Sequence, residues 1–162
     1  MITRALAAIV MLVTLPGLAY SQASRAADDP ETKEIESYRL TLPVLQKMGV
    51  ANKAFADALR HDPAAQQQLE AESDKADDKQ SLADMERKLA AMPYMNEALT
   101  SAGLSAHEYA IFEWCAFQAA MAAGLEKAGQ LPALPAGLQR ANVQFMKDHE
   151  KEFAAAMQAG AQ

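Results

Sequence analysis

Hydrophobic positions recur at helical spacing along most of the chain, and no stretch alternates apolar and polar residues for long enough to predict a strand. Leu45, Met48, Asn52, Phe55 and Leu59 share one face of a helix that opens at Thr41 and tolerates Pro43 in its first turn. His61-Asp62-Pro63 interrupts that stripe, and Asp62 is placed to cap a second helix that begins at Pro63 and carries Leu69. Ser81 with Asp84 opens the next stripe, Leu82, Met85, Leu89 and Met92, which Pro93 ends or restarts at a bend. Met95 and Leu99 follow, and Gly103 is predicted to close their helix in left-handed geometry. Ser105 with Glu108 predicts a fuller capping box for a helix over 105–128. Glu113 and Gln118 are its only strongly polar residues between Tyr109 and Leu125, the pattern of a buried central helix. Its small residues Ala116, Ala119, Ala120, Ala123 and Gly124 predict close approach of neighbouring helices. Gly129, Pro132, Pro135 and Gly137 mark a loop. A last helix over 138–157 carries the stripe Leu138, Asn142, Phe145, His149, Phe153 and Met157.

The chain begins differently. Arg4 precedes the uncharged apolar run 5–15, Pro16 and Gly17 break it, and Ser21-Gln22-Ala23 fits the small-x-small pattern of a signal-peptidase site. A bilayer span takes roughly 20 apolar residues, so this run predicts a cleavable signal peptide rather than an anchor. Residues 1–23 are therefore read as signal peptide, with Ala26 as a second cleavage position. Residues 24–40 are read as an extended polar lead-in, and 41–162 as a helical domain. The acidic stretch 70–80 reads as a solvated linker. The fold class predicted is all-α: a compact bundle of roughly four to six helices around a buried central helix near 105–128, with 138–157 and 41–59 packed on it.

Composition narrows the function classes. With 51% hydrophobic residues the chain is not a disordered polymer. The net charge of −6 disfavours nucleic acid, and the predicted cleavage removes Arg4 and no acid. Many alanines and Glu113 argue against a membrane-spanning reading of 105–128, so an integral membrane protein is not expected. Cys115 is the single cysteine, which excludes an intrachain disulfide framework, and with Glu113 nearby and no neighbouring cation it predicts a buried, inert thiol.

Few residues are candidates for chemistry. His149 sits four residues from Phe145 and from Phe153, so it is expected on the core face, either as a ligand or as a core histidine satisfied by a carbonyl or carboxylate. Asn142 shares that stripe and is expected to satisfy a backbone group. His61 reads as a helix C-terminal histidine and His107 as an exposed residue of a first helical turn. Met92 with Met95, and Met146 with His149, have the donor types that suit copper, but all lie on or beside apolar stripes where methionine fills core gaps. No Glu-x-x-His pair, Cys-x-x-Cys-His, Gly-x-Ser-x-Gly, phosphate loop or dinucleotide fingerprint occurs.

Three stretches together resemble a group of small exported bacterial all-α proteins of unknown function. They are Ala102-Gly103-Leu104-Ser105-Ala106-His107-Glu108-Tyr109, the alanine-rich Ala119-Ala120-Met121-Ala122-Ala123-Gly124-Leu125, and Asn142-Val143-Gln144-Phe145 followed by His149 and Glu152. The resemblance implies an exported helical protein and transfers no functional residue.

The function expected is that of a non-enzymatic binding or interaction module of the cell envelope, periplasmic or secreted. It would hold a small apolar ligand or a protein partner against faces that include His149, Phe145, Phe153 and Asn142, and no cofactor is expected. The alternative is a periplasmic metal- or b-type-haem-binding bundle, with Met48 and His149 as axial ligands. A further alternative is an enzyme that carries no recognisable motif.

Overall fold

Prolines and short polar caps decide where the helices start. The computed structural model describes residues 29–73, 81–130 and 140–159. Among them are eight helices and no strand: α1 Pro30–Ser37, α2 Leu42–His61, α3 Pro63–Ser73, α4 Leu82–Ala91, α5 Pro93–Ser101, α6 Ala106–Lys127, α7 Arg140–Asp148 and α8 Glu150–Gln158. The expected signal peptide, residues 74–80 of the expected linker and most of the loop after Gly129 lie outside the described residues, while residues 70–73, expected in the linker, end α3.

Four helix starts show how sequence becomes structure. Asp62 accepts the Ala64 amide at 2.9 Å and opens α3 at Pro63, whose missing N–H costs nothing in a first turn. Ser81 and Asp84 form the complete reciprocal box, the Asp84 amide bonding Ser81 Oγ at 3.1 Å and the Ser81 amide bonding Asp84 Oδ2 at 3.2 Å. Ser105, expected to be the fuller box, supplies only the forward bond, to the Glu108 amide at 3.0 Å. Thr41 holds the N-cap position of α2 without a side-chain cap bond.

Two helices exceed the expected number. Residues 30–37, read as extended, are helical because Asp29 caps them: its carboxylate takes the Thr32 amide at 3.2 Å and the Thr32 hydroxyl at 2.9 Å, with Pro30 at the first helical position. The expected single helix over 138–157 divides at His149, whose φ of −119° and ψ of 28° leave the helical region. The physical reason is that its two halves serve different partners. α7 packs on α6, whereas α8 packs on α2. Ala156 there comes within 3.4 Å of where a Cβ on Gly49 would stand, and the Asn52 side chain donates to the Ala156 carbonyl at 3.3 Å. Gly49 is thus the close-approach glycine, while Gly124, expected in that role, is exposed with nothing near it.

α6 is the central helix. It packs against α4 and α7 and buries Tyr109, Ala110, Ile111, Phe112, Cys115, Ala116, Ala119 and Ala122. α2 packs against α5 and α8, and one continuous core joins the two groups through Leu45, Met48, Leu99, Ile111 and Phe112, all essentially without exposed surface. Where α5 ends, Gly103 at φ 70° allows Leu104 N–H to reach the Leu99 carbonyl at 2.9 Å and Gly103 N–H the Thr100 carbonyl at 3.0 Å. Gly129 at φ 68° repeats the arrangement at the end of α6. No helix among the described residues is long and apolar enough to cross a membrane.

Candidate functional site

The break at His149 forms an elbow between α7 and α8. The backbone stays bonded through it, His149 N–H to the Phe145 carbonyl and Phe153 N–H to the His149 carbonyl, each at 2.9 Å. The Phe145 and His149 rings lie 4.6 Å apart with a 45° tilt, and Phe145 and Phe153 each pack partly buried against the core. All three are half-buried, although the stripe predicted a core position for His149, and its side chain keeps 28% of its surface. His149 Nδ1 is nonetheless shut off from water and has no hydrogen-bond partner; Glu152 Oε1 stands off at 3.7 Å. A polar atom shut off from water without a hydrogen bond is uncommon in a folded protein and asks for an explanation.

Asn142 belongs to the same stripe but not to the elbow. It is 3% exposed, accepts the Leu40 amide at 3.0 Å through Oδ1 and donates to the Tyr38 carbonyl at 3.0 Å through Nδ2. Both ends of its amide are engaged in fastening the segment after α1 to α7. Met48, the other residue of the haem alternative, has 0% exposed surface in the core, so a haem would reach its sulfur only by displacing packed side chains. Met95 and Met146 are likewise core residues, and no group of three or more His, Cys, Asp or Glu among the described residues is arranged to hold a metal ion.

Two polar features escaped the sequence reading. The first lies where α1, α4 and α6 meet, in a cleft of about 180 Å³ lined by Pro30, Glu31, Glu34, Leu82, Glu86 and His107 among others. His107 Nε2 is 2.7 Å from Glu34 Oε1 and its Nδ1 is 3.2 Å from Glu86 Oε2. The Glu34 hydrogen bond raises the imidazole pKa above its ordinary value, partial burial opposes this, and Glu86 adds to it. His107 is thus bridged on both sides, where a merely exposed residue was expected. The second feature runs through the core. Tyr109 donates to Asn52 Oδ1 at 2.9 Å, which links α6 to α2 and, through Asn52 and Ala156, to α8. One turn further along α6, burial pushes the half-buried Glu113 carboxyl up to about 7. Neither cluster has a spacing signature, because its members come from helices far apart in the chain.

Cys115 is 3% exposed with its thiol 3.8 Å from the Ile35 carbonyl, and burial pushes its pKa up to about 11. That environment suppresses the thiolate a nucleophile requires. Comparison of the chain with protein-family models, with curated proteins and with solved structures finds no match.

Proposed function

We propose that this protein is an exported, non-enzymatic binding module whose α7–α8 elbow holds a small apolar molecule, or an apolar side chain of an envelope partner, against Phe145, His149 and Phe153. One observation carries the reading: His149 Nδ1 is shut off from water and makes no hydrogen bond, with Glu152 Oε1 3.7 Å away, beside the half-buried Phe145 ring. Small-ligand sites combine apolar surface with a few placed polar groups; the half-buried rings supply the surface, and Nδ1 would meet a ligand once the imidazole turns. Export rests on the basic start, apolar run and small-residue cleavage pattern of residues 1–23. The resemblance to small exported helical proteins is in keeping with that destination.

The test begins with protein recovered from the envelope of the expressing bacterium. Its intact mass should correspond to a chain beginning at Ser24 or Ala27. Native mass spectrometry should then show an adduct that is lost from a Phe145→Ala, Phe153→Ala double variant that still folds. A bare mass, together with no saturable binding of the fluorescent probe 1-anilinonaphthalene-8-sulfonate, would overturn the proposal.

A further inference from the structure

We propose that α1 is a pH-operated strap: protonated His107, gripped between Glu34 and Glu86, fastens residues 30–37 over Cys115, and deprotonation of the imidazole releases them.

α1 is attached to the domain by few apolar contacts. None of its residues is fully buried, and only Ile35 and, just beyond its end, Tyr38 rest partly buried on the core. Polar contacts supply the rest of the attachment. Glu31 Oε1 accepts the Leu82 amide at the start of α4 at 3.0 Å, His107 bridges to Glu34, the Cys115 thiol lies against the Ile35 carbonyl, and Asn142 pins the Tyr38 carbonyl beyond the helix end. His107 is the one histidine among these contacts and meets α1 between two carboxylates.

The charge pattern around His107 makes that dependence sensitive to protonation. The groups facing it are Glu31 and Glu34 from α1 and Glu86 from α4, and no lysine or arginine lines the cleft. On its own helix the neighbouring ionisable residue is Glu108. An imidazolium offers one N–H to each flanking carboxylate. The neutral ring keeps only one N–H, so its other nitrogen turns a lone pair toward a carboxylate while three acids crowd one cleft. A histidine whose pKa is raised by folding stabilises the folded arrangement below its unfolded value, near 6.5, and loses that contribution as pH rises through the higher folded value. The strap is therefore closed under mildly acidic conditions and loosened under alkaline ones.

Hydrogen exchange of the purified protein tests this. Amides of residues 33–38 are compared with those of α2 as an internal reference, after correction for intrinsic rates, at about pH 6 and about pH 9. Protection of the strap relative to α2 should fall severalfold at the higher pH, because the bridge of His107 to Glu34 and Glu86 is lost there. In His107→Gln it should be low and unchanged between the two conditions. Should that variant lose its helical circular dichroism, Glu34→Gln combined with Glu86→Gln provides the same comparison. A wild-type strap whose relative protection is flat overturns the proposal. So does a fall of equal size in the variant, which would assign the effect to another group such as Glu113.

Discussion

Asn142 and Glu113 show how a single polar side chain acts in opposite directions in one core. Asn142 meets both needs of a backbone segment that would otherwise bury an amide and a carbonyl at Leu40 and Tyr38. Asn142→Ala should cost roughly 2–4 kcal/mol, the range for stranding buried partners, as read by urea denaturation. Glu113 has no such partner and sits at about 7 because burial penalises its charge. A carboxyl raised on folding destabilises the protein above its folded pKa and ceases to do so below its unfolded one. Stability should therefore fall as pH rises from about 4.5 to about 7. Glu113→Gln should remove that fall and stabilise the protein by about 1–3 kcal/mol at pH 8, with little effect near pH 4. Equal denaturation midpoints for variant and wild type at pH 8 would refute the assignment. Asn142 as a backbone partner was legible from its place on an apolar stripe. The environment of Glu113 was not, because whether a lone carboxyl in an apolar helix reaches water depends on which neighbours lie over it.

At the level of elements, the sequence is readable where a local signal sets the boundary and silent where packing does. Asp62-Pro63, Ser81 with Asp84, and Gly103 gave their helix ends from chemistry within a few residues. Asp29-Pro30 is the same cap-and-proline signal, hidden in the sequence by the charged residues around it. The division at His149 has no local breaker. It arises from two different packing partners and the close approach at Gly49, so helical periodicity alone predicts one straight helix. The glycines offer a paired test of this division of labour. Gly103→Ala forces a left-handed φ on a residue with a Cβ and should cost about 1 kcal/mol. Gly124→Ala adds a methyl to open space in the exposed part of α6 and should stabilise by up to about 1 kcal/mol. Thermal melts of the two variants should move in opposite directions, and a shift of the same sign in both would contradict the assigned backbone roles.

For the whole molecule, an all-α bundle organised on α6 was legible because apolar residues encircle most of that helix, and only a helix with partners on several sides has that pattern. Its interior should be tight enough to protect the one thiol. Cys115 in native protein at about pH 6, where the strap over it is closed, should react with a thiol reagent at least ~100-fold more slowly than in denaturant at the same pH, since both burial and a pKa of about 11 disfavour attack. Rapid native labelling would mean that the packing of α6 against α1 is wrong. The central claim, an elbow built to bind, is tested most directly by a two-dimensional amide NMR titration of the folded protein with 1-anilinonaphthalene-8-sulfonate. Saturable shifts centred on Phe145, His149 and Phe153, and abolished in the Phe145→Ala, Phe153→Ala variant, are the predicted result. No saturable shift, or shifts centred instead on the half-buried Trp114, Phe117 and Met121 of α6, would contradict it.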